Sequence, residues 1–477
     1  MSSDSAQSTQ EEDIQYFKKQ ERIYPKRVSG TYRNLKWLAM IVCLAIYYLV
    51  PFIRWDRGPN APDQAVLIDL VHGRAYWFWI EIWPQEVYIL TGILILAAIA
   101  LFFVTSLFGR VWCGYFCFQT VWTDLFIWVE RIVQGDRTKR KKLREGPWTK
   151  EKIIKIAITH FIWLVIAWCT AGSFTLYFND APTLVHSFLT FNVSQTVLMF
   201  IIGLTFSTYL MAGFAREQVC TFMCPYARFQ SAMFDKDTMI IGYDPDRGEP
   251  RGKHKKGESW ENRGHCIDCT ACVQVCPMGI DIRNGLQMEC IACGLCIDAC
   301  DGIMDKLELP RGLIRYDTER RLEEKHQGKM GMLHLLRPRT LYYATVLLVI
   351  SSLMLYALIT RAPLEMRVLH DRNPLFVRLS DGEIRNGFDI KILNKTHTHR
   401  TYTLHIDNLK NAKINVSAAG NISTNNIKVE ADSVGHYKVY VQAPVKPQAP
   451  KPFNFTLTDN KNGNSVSYQS KFVTQRP

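Results

Sequence analysis

Eight cysteines between Cys266 and Cys300 fall into two runs of identical spacing, Cys266-x2-Cys269-x2-Cys272-x3-Cys276-Pro277 and Cys290-x2-Cys293-x2-Cys296-x3-Cys300. No other feature limits the fold of this chain as tightly. Three thiols, each two residues from the next, wrap one face of a cube in a tight loop. A fourth, after three further residues, points away to a second cube. The spacing therefore predicts two [4Fe–4S] clusters with crossed ligation: Cys266, Cys269, Cys272 and Cys300 on one, Cys290, Cys293, Cys296 and Cys276 on the other. Zinc is the main rival, but it normally takes C-x2-C pairs set farther apart, not triplets. Disulfides are a second rival, and spacing this dense leaves little room for acceptable bridge geometry. The predicted chemistry is electron transfer.

The chain has 477 residues, 48% of them hydrophobic, enough for more than one domain. Five apolar stretches reach the length needed to cross a bilayer: Trp37–Ile53, Val87–Phe108, Ile154–Leu176, Val193–Phe214 and Leu341–Ile359. Trp77, Trp79 and Trp83 ahead of the second read as an aromatic belt. A formal net charge of +13 would suit a nucleic-acid partner, but the basic residues crowd beside the apolar runs, so none is expected. Lys18, Lys19, Arg22, Lys26, Arg27, Arg33 and Lys36 precede the first span, and Arg137, Lys139, Arg140, Lys141, Lys142 and Arg144 fill the loop before the third. The loop Phe178–Asn192 has no Lys or Arg. Positive-inside logic then predicts that the N-terminus and the cysteine-rich segment are cytoplasmic and that the C-terminal region lies on the opposite side of the membrane. The 137–144 run reads as a patch for anionic lipid. Met1–Lys36 is polar and predicts no cleaved signal peptide.

Beyond Arg361 the pattern becomes short alternating strands: Phe388–Leu393, Thr401–Asp407, Ile427–Glu430, Gly435–Gln442, Phe453–Thr458 and Ser465–Val473. This predicts an antiparallel sandwich acting as an interaction or stabilising module. His397, His399, His405 and His436 are copper candidates there, with His397 and His399 sharing a face if they lie on a strand; exposed structural histidines are the simpler reading. The expected division is 1–36, N-terminal segment; 37–234, four spans; 235–339, ferredoxin domain; 340–360, fifth span; 361–477, β-sandwich.

Twelve of the 14 cysteines sit in motifs, and Cys43 and Cys169, inside apolar runs, read as packing. Outside the ferredoxin segment lie two C-x3-C pairs, Cys113/Cys117 after the second span and Cys220/Cys224-Pro225 after the fourth. Spacing of four places both thiols of a pair on one face of a helix. Each pair follows a span running toward the predicted cytoplasmic face and precedes an aromatic amphipathic stretch (Phe116–Val133 and Phe222–Phe234), as in a repeat with a site between its halves. Four thiols there suit Cu(I) or a reversible dithiol, against the bland reading of helix packing. Met223 is a candidate thioether ligand, and His160 in the third span is either inward-facing and functional or a neutral hydrogen-bonded residue.

WCGYFC followed by QTVWTD, then VCTFMCPYARFQ, then the paired ferredoxin motifs ending CIDACD, a further span and a β-rich tail together resemble the CcoG/FixG/RdxA family from about Tyr24 onward. These are membrane polyferredoxins described as accessory proteins of cbb-type cytochrome oxidase assembly. The resemblance implies reduction of Cu(II) to Cu(I), with Cys113, Cys117, Cys220 and Cys224 in the copper chemistry and the eight cysteines from Cys266 to Cys300 as cluster ligands. It also implies an immunoglobulin-like C-terminal domain and, as partners, a cytoplasmic electron donor, copper chaperones and oxidase assembly factors; a homodimer is allowed. One departure stands out: Phe118 occupies the position where the family usually has proline, whereas Cys224 keeps Pro225. The rival readings are a quinone-linked electron-transfer subunit, a non-enzymatic copper-binding scaffold and, last, a redox sensor.

Overall fold

A computed structural model describes residues 22–58, 60–254, 258–329, 334, 336–409, 411–418, 420–422, 424, 426–444 and 451–474. Lys18 and Lys19, and most of the expected 1–36 segment, lie outside the described residues. Five helices are long and apolar enough to cross a membrane: Thr31–Phe52, Pro84–Phe108, Lys150–Leu176, Gln195–Ala215 and Pro338–Ile359. The chain divides into two compact units, Met1–Tyr48 with Leu94–Thr175 and Val193–Leu347, and Leu49–Ile93 with Leu176–Asn192 and Leu348–Pro477.

In the first unit, the helix Phe118–Gln134 packs Val121, Trp122, Phe126 and Val129 with Met40, Trp163, Ala167 and Ala212 of the apolar helices. The rings of Phe126 and Trp163 stack at 5.1 Å. The same helix buries two acids. Glu130 accepts from Arg22 (3.0 Å), Arg140 (2.9 Å) and Arg216 (2.6 Å). Asp124 takes both oxygens to one nitrogen of Arg33, at 3.0 and 2.9 Å. Part of the charge that reads as a lipid-facing basic run is therefore spent inside the fold, because the Arg140 side chain is wholly buried on Glu130. His160 in the third long helix bonds Tyr209 at 2.9 Å and packs edge-on to Trp163, a partnered histidine.

The cysteine-rich segment is closed by the antiparallel pair Met239–Tyr243 and Ile314–Thr318. Each triplet curls through left-handed backbone at the same two places: Asp268 and Thr270 after Cys266, Ala292 and Gly294 after Cys290. Each then enters a helix, Ala271–Val275 or Leu295–Lys306. Gly294 needs its lack of a side chain twice over, since φ is +73° and an added Cβ would stand 2.6 Å from the Tyr32 ring. Asp298 on the second helix accepts the backbone N–H of Tyr32 (3.1 Å) and of Arg33 (2.7 Å). It thus serves the first turn of the helix Thr31–Leu49 as a capping carboxylate supplied from elsewhere in the chain.

The second unit contains a β-sandwich whose sheets have six and four strands. Glu383–Asn394 and Ser433–Pro444 pair antiparallel along their whole lengths. Period-two alternation turns Ile384, Phe388, Ile390 and Ile392 inward, where they meet Tyr402, Leu404, Phe453, Phe455 and Leu457 in one core. The six predicted strands are present, and Leu364–His370 and Lys413–Ala418 add to them. His397 and His399 lie in the bend before Arg400–Asp407 and not on a strand, so the expected shared face does not exist. A further three-stranded antiparallel sheet, Val66–Asp69, Arg74–Trp77 and Ile80–Ile82, precedes the second long helix. It changes the reading of the tryptophans there: Trp77 and Trp79 are exposed, but Trp83 is buried beneath the guanidinium of Arg74, 3.8 Å from its ring.

Candidate redox site

Two cavities of about 360 Å³ each lie among the ferredoxin cysteines. One is lined by Cys266, Cys269, Cys272 and Cys300, with Tyr243, Ile303 and Leu313. The other is lined by Cys276, Cys290, Cys293 and Cys296, together with Cys272, which lines both, and with Met278, Ile282 and Leu295. The donor set fits an iron–sulfur cluster in each: at least four thiols around a cavity in an apolar shell. Burial pushes the thiols of Cys272 and Cys290 up to about 11 and those of Cys276 and Cys300 to about 12. Thiols held so far above neutrality stay protonated until a metal takes the proton's place.

The two C-x3-C pairs meet beside the second cavity. Cys113 and Cys220 pack into one apolar cluster with Cys276, Cys293, Ile291 and Leu295. Burial pushes Cys113 up to about 11, opposed by Arg110 and reinforced by Cys117 and Cys224. Burial pushes Cys220 to about 12, and it feels Cys117, Cys113 and Cys224 in that order. All four thiols are thus electrostatic neighbours. Among the described residues, no three of these sulfurs lie within 4.8 Å of one another.

Neither pair lies on one helical face, contrary to the expectation from spacing. Cys113 is in the short helix Val111–Tyr115, while Cys117 is extended (φ −62°, ψ 128°) and starts the helix Phe118–Gln134. Cys220 is in a π-helical turn, Val219–Met223, while Cys224 is extended (φ −79°, ψ 109°) ahead of Pro225–Ala232. In both motifs the second cysteine's N–H reaches back five residues, Cys117 to Trp112 O at 3.0 Å and Cys224 to Val219 O at 2.8 Å. The repeat is therefore geometric. Phe118 and Pro225 each take the first position of the following helix, where proline is tolerated because no intrahelical N–H bond is lost. Phe118→Pro is accordingly expected to leave thermal unfolding unchanged or to stabilise the chain by up to about 1 kcal/mol; a clear drop in unfolding temperature would overturn the equivalence.

Three residues at this site carried no signal in the spacing. Arg110, 4% exposed, donates from Nε to Gln230 at 3.1 Å and from Nη1 to the Met288 carbonyl. Gln230 in turn accepts from Cys113 Sγ at 3.2 Å. Tyr115 donates to the Cys293 carbonyl at 3.0 Å. The one available hint was an arginine set directly between an apolar span and a cysteine pair. Gly114 lets this contact form, because a Cβ would stand 2.6 Å from the Ile291 carbonyl oxygen and 3.1 Å from Cys293 Cα. Gly114→Ala is expected to cost about 1–3 kcal/mol through forced displacement of backbone; an unchanged denaturant midpoint would mean that the two segments do not touch.

Five membrane-length helices, crossed cysteine cavities and an Ig-like sandwich define a membrane [4Fe–4S] protein of the two-cluster ferredoxin class. Family models agree in three places: a 4Fe-4S dicluster domain over residues 215–319, a 4Fe-4S binding domain over 90–138, and the IG-like fold at the C-terminus of FixG over 354–475. "Nitrogen fixation protein FixG" of Rhizobium meliloti is 45% identical over 96% of this chain and 93% of its own. "Protein RdxB" of Cereibacter sphaeroides is 47% identical over 90% of each. Among solved structures, a FixG-related protein from Vibrio parahaemolyticus matches 24% of this chain and 100% of its own at 24% identity, with a TM-score of 0.22. The chain belongs to the FixG/RdxA family.

Proposed function

We propose that this protein is a membrane oxidoreductase that passes single electrons from two [4Fe–4S] clusters to Cu(II) at Cys113, Cys117, Cys220 and Cys224. In this reading Cys266, Cys269, Cys272 and Cys300 hold one cluster and Cys276, Cys290, Cys293 and Cys296 the other. The clusters supply stored one-electron reducing power. The observation that carries the proposal is the packing of Cys113 and Cys220 in the same apolar cluster as Cys276 and Cys293. Tyr115 and Gly114 hold the two segments in contact. Arg110 opposes the upward push of burial at Cys113 and Cys220. Each electron converts one Cu(II) to Cu(I), and thiolate sulfur retains the reduced ion more firmly than the oxidised one. A cytoplasmic electron donor restores the lost electron. The charge pattern favours a cytoplasmic ferredoxin segment with the sandwich on the opposite side, and membership of the FixG/RdxA family supports reading that membrane as a bacterial inner membrane and that side as the periplasm. Copper then passes to chaperones and the assembly apparatus of a cbb-type oxidase.

The test is anaerobic. Dithionite-reduced protein, freed of excess reductant, receives Cu(II) while cluster absorbance and chelator-trapped Cu(I) are followed together. Clusters that stay reduced would remove copper as the acceptor. A second reading has an observation of its own: the family model for a 4Fe-4S binding domain matches residues 90–138, which include Cys113 and Cys117. Under that reading these thiols hold a third cluster, and iron rises from eight to twelve atoms per chain.

A further inference from the structure

We propose that Glu81, His397 and Asp432 form a binding site for a divalent first-row transition cation in the second unit, separate from the cysteine chemistry. One ligand atom from each residue lies within 4.8 Å of the other two. Glu81 comes from the strand Ile80–Ile82, His397 from the bend before Arg400–Asp407, and Asp432 from the turn before Ser433–Pro444. Three elements distant in sequence therefore converge on one point.

The carboxylates are what demand a ligand. Glu81 is 6% exposed and Asp432 3%. Glu81 Oε1 and Asp432 Oδ1 have no hydrogen-bond partner among the described residues. A buried carboxylate oxygen normally finds a donor or a metal. The nearby guanidiniums are committed elsewhere. Arg57 donates to the carbonyls of Phe78, Pro62, Gln64 and Ala65, and Arg74 stacks on Trp83 and donates to the backbone oxygen of Asp432. They soften the local charge without pairing with either side chain. His397 Nδ1 holds Asp432 Oδ2 at 2.9 Å while more than half of the imidazole faces solvent, which puts a ligand at the mouth of the site.

The donor set selects the cation. One imidazole with two carboxylates is too nitrogen-rich for Mg(II) or Ca(II) and lacks the sulfur that Cu(I) prefers. Zn(II) and Cu(II) fit, with Cu(II) bound tighter. Three protein ligands leave a position for water or an exchanging ligand, as in an open site and not a structural cage.

The test uses full-length protein in detergent with its clusters oxidised and Cys113, Cys117, Cys220 and Cys224 all changed to alanine, so that no copper is lost to the thiols. One equivalent of Cu(II) is added and followed by electron paramagnetic resonance. The expected result is a bound Cu(II) signal with coupling to a single nitrogen. His397→Ala should remove that coupling, and His397→Ala, Glu81→Gln and Asp432→Asn should each weaken binding at least tenfold. Asn suits position 432 because its φ is +46°, and His397 is exposed, so these variants should fold; unchanged thermal unfolding checks this. His399→Ala should change nothing. Equal signals and affinities in all variants, or loss on His399→Ala alone, would overturn the site, whatever the cysteines do.

Discussion

The double variant Cys220→Ala/Cys224→Ala is expected to keep eight irons per chain and lose at least nine-tenths of its Cu(II)-dependent cluster reoxidation. The expectation follows from position. Cys220 packs against the apolar cluster that contains Ile291 and Cys293 and is not among the thiols lining the second cavity. Removing it therefore empties the acceptor end and leaves every thiol that lines the two cluster cavities in place. Arg110 stays in place, bonded to Gln230, so the local fold is held. Cys113→Ala/Cys117→Ala should behave the same way, since the two motifs close with the same five-residue hydrogen bond. The measurement is stopped-flow absorbance of the clusters beside an iron assay. Iron falling by a third from twelve would favour the third-cluster reading, and wild-type rates in both variants would leave the cysteine pairs without a redox role.

Glu130→Ala is expected to be the most destabilising substitution in the first unit, at about 3–5 kcal/mol, because it leaves buried charges without their counter-ion. Arg140 and Arg216 side chains are 0% and 3% exposed, and each spends a donor on this carboxylate. Burial alone would push the carboxyl upward; Arg216, Arg22 and Arg140 overcome it and hold Glu130 below its ordinary value. A depressed acid contributes stability that is fully present above its unfolded pKa, about 4.3, and is lost as pH falls through the folded value. The gap between wild type and Glu130→Gln should therefore be full at neutral pH and narrow progressively in acid below pH ~4. Denaturant unfolding in mild detergent at both pH values measures it, and a gap independent of pH would mean that the triad is not ionised.

The parts of the molecule that were readable in advance are those with a fixed period or spacing. The five apolar runs survive within a few residues, because length and hydropathy are local properties. The sandwich strands follow from alternation. What stayed hidden depends on partners far away in the chain. Nothing near Arg140 says that its charge will meet Glu130 and not lipid, and nothing near Asp298 marks it as a cap for Arg33. The Val66–Ile82 sheet was masked by its tryptophans, which look like interface anchors until Arg74 is seen to cover Trp83. The paired cysteines misled in one respect: spacing of four allows a helix, but extended backbone at Cys117 and Cys224 breaks it.

The carboxylate of Asp298 has a consequence for the order in which the protein is made. The first apolar helix leaves the ribosome early, yet the group that satisfies its opening amides is encoded 266 positions later. At about 5–20 residues per second that is a wait on the order of tens of seconds. Through that interval the amides of Tyr32 and Arg33 lack this acceptor, and the segment's final seating must follow completion of the second cysteine run. Maturation of the earliest-made part of the chain is thereby tied to a late one, so a chain cut short before position 298 would carry an inserted but unseated first helix, a ready mark for quality control.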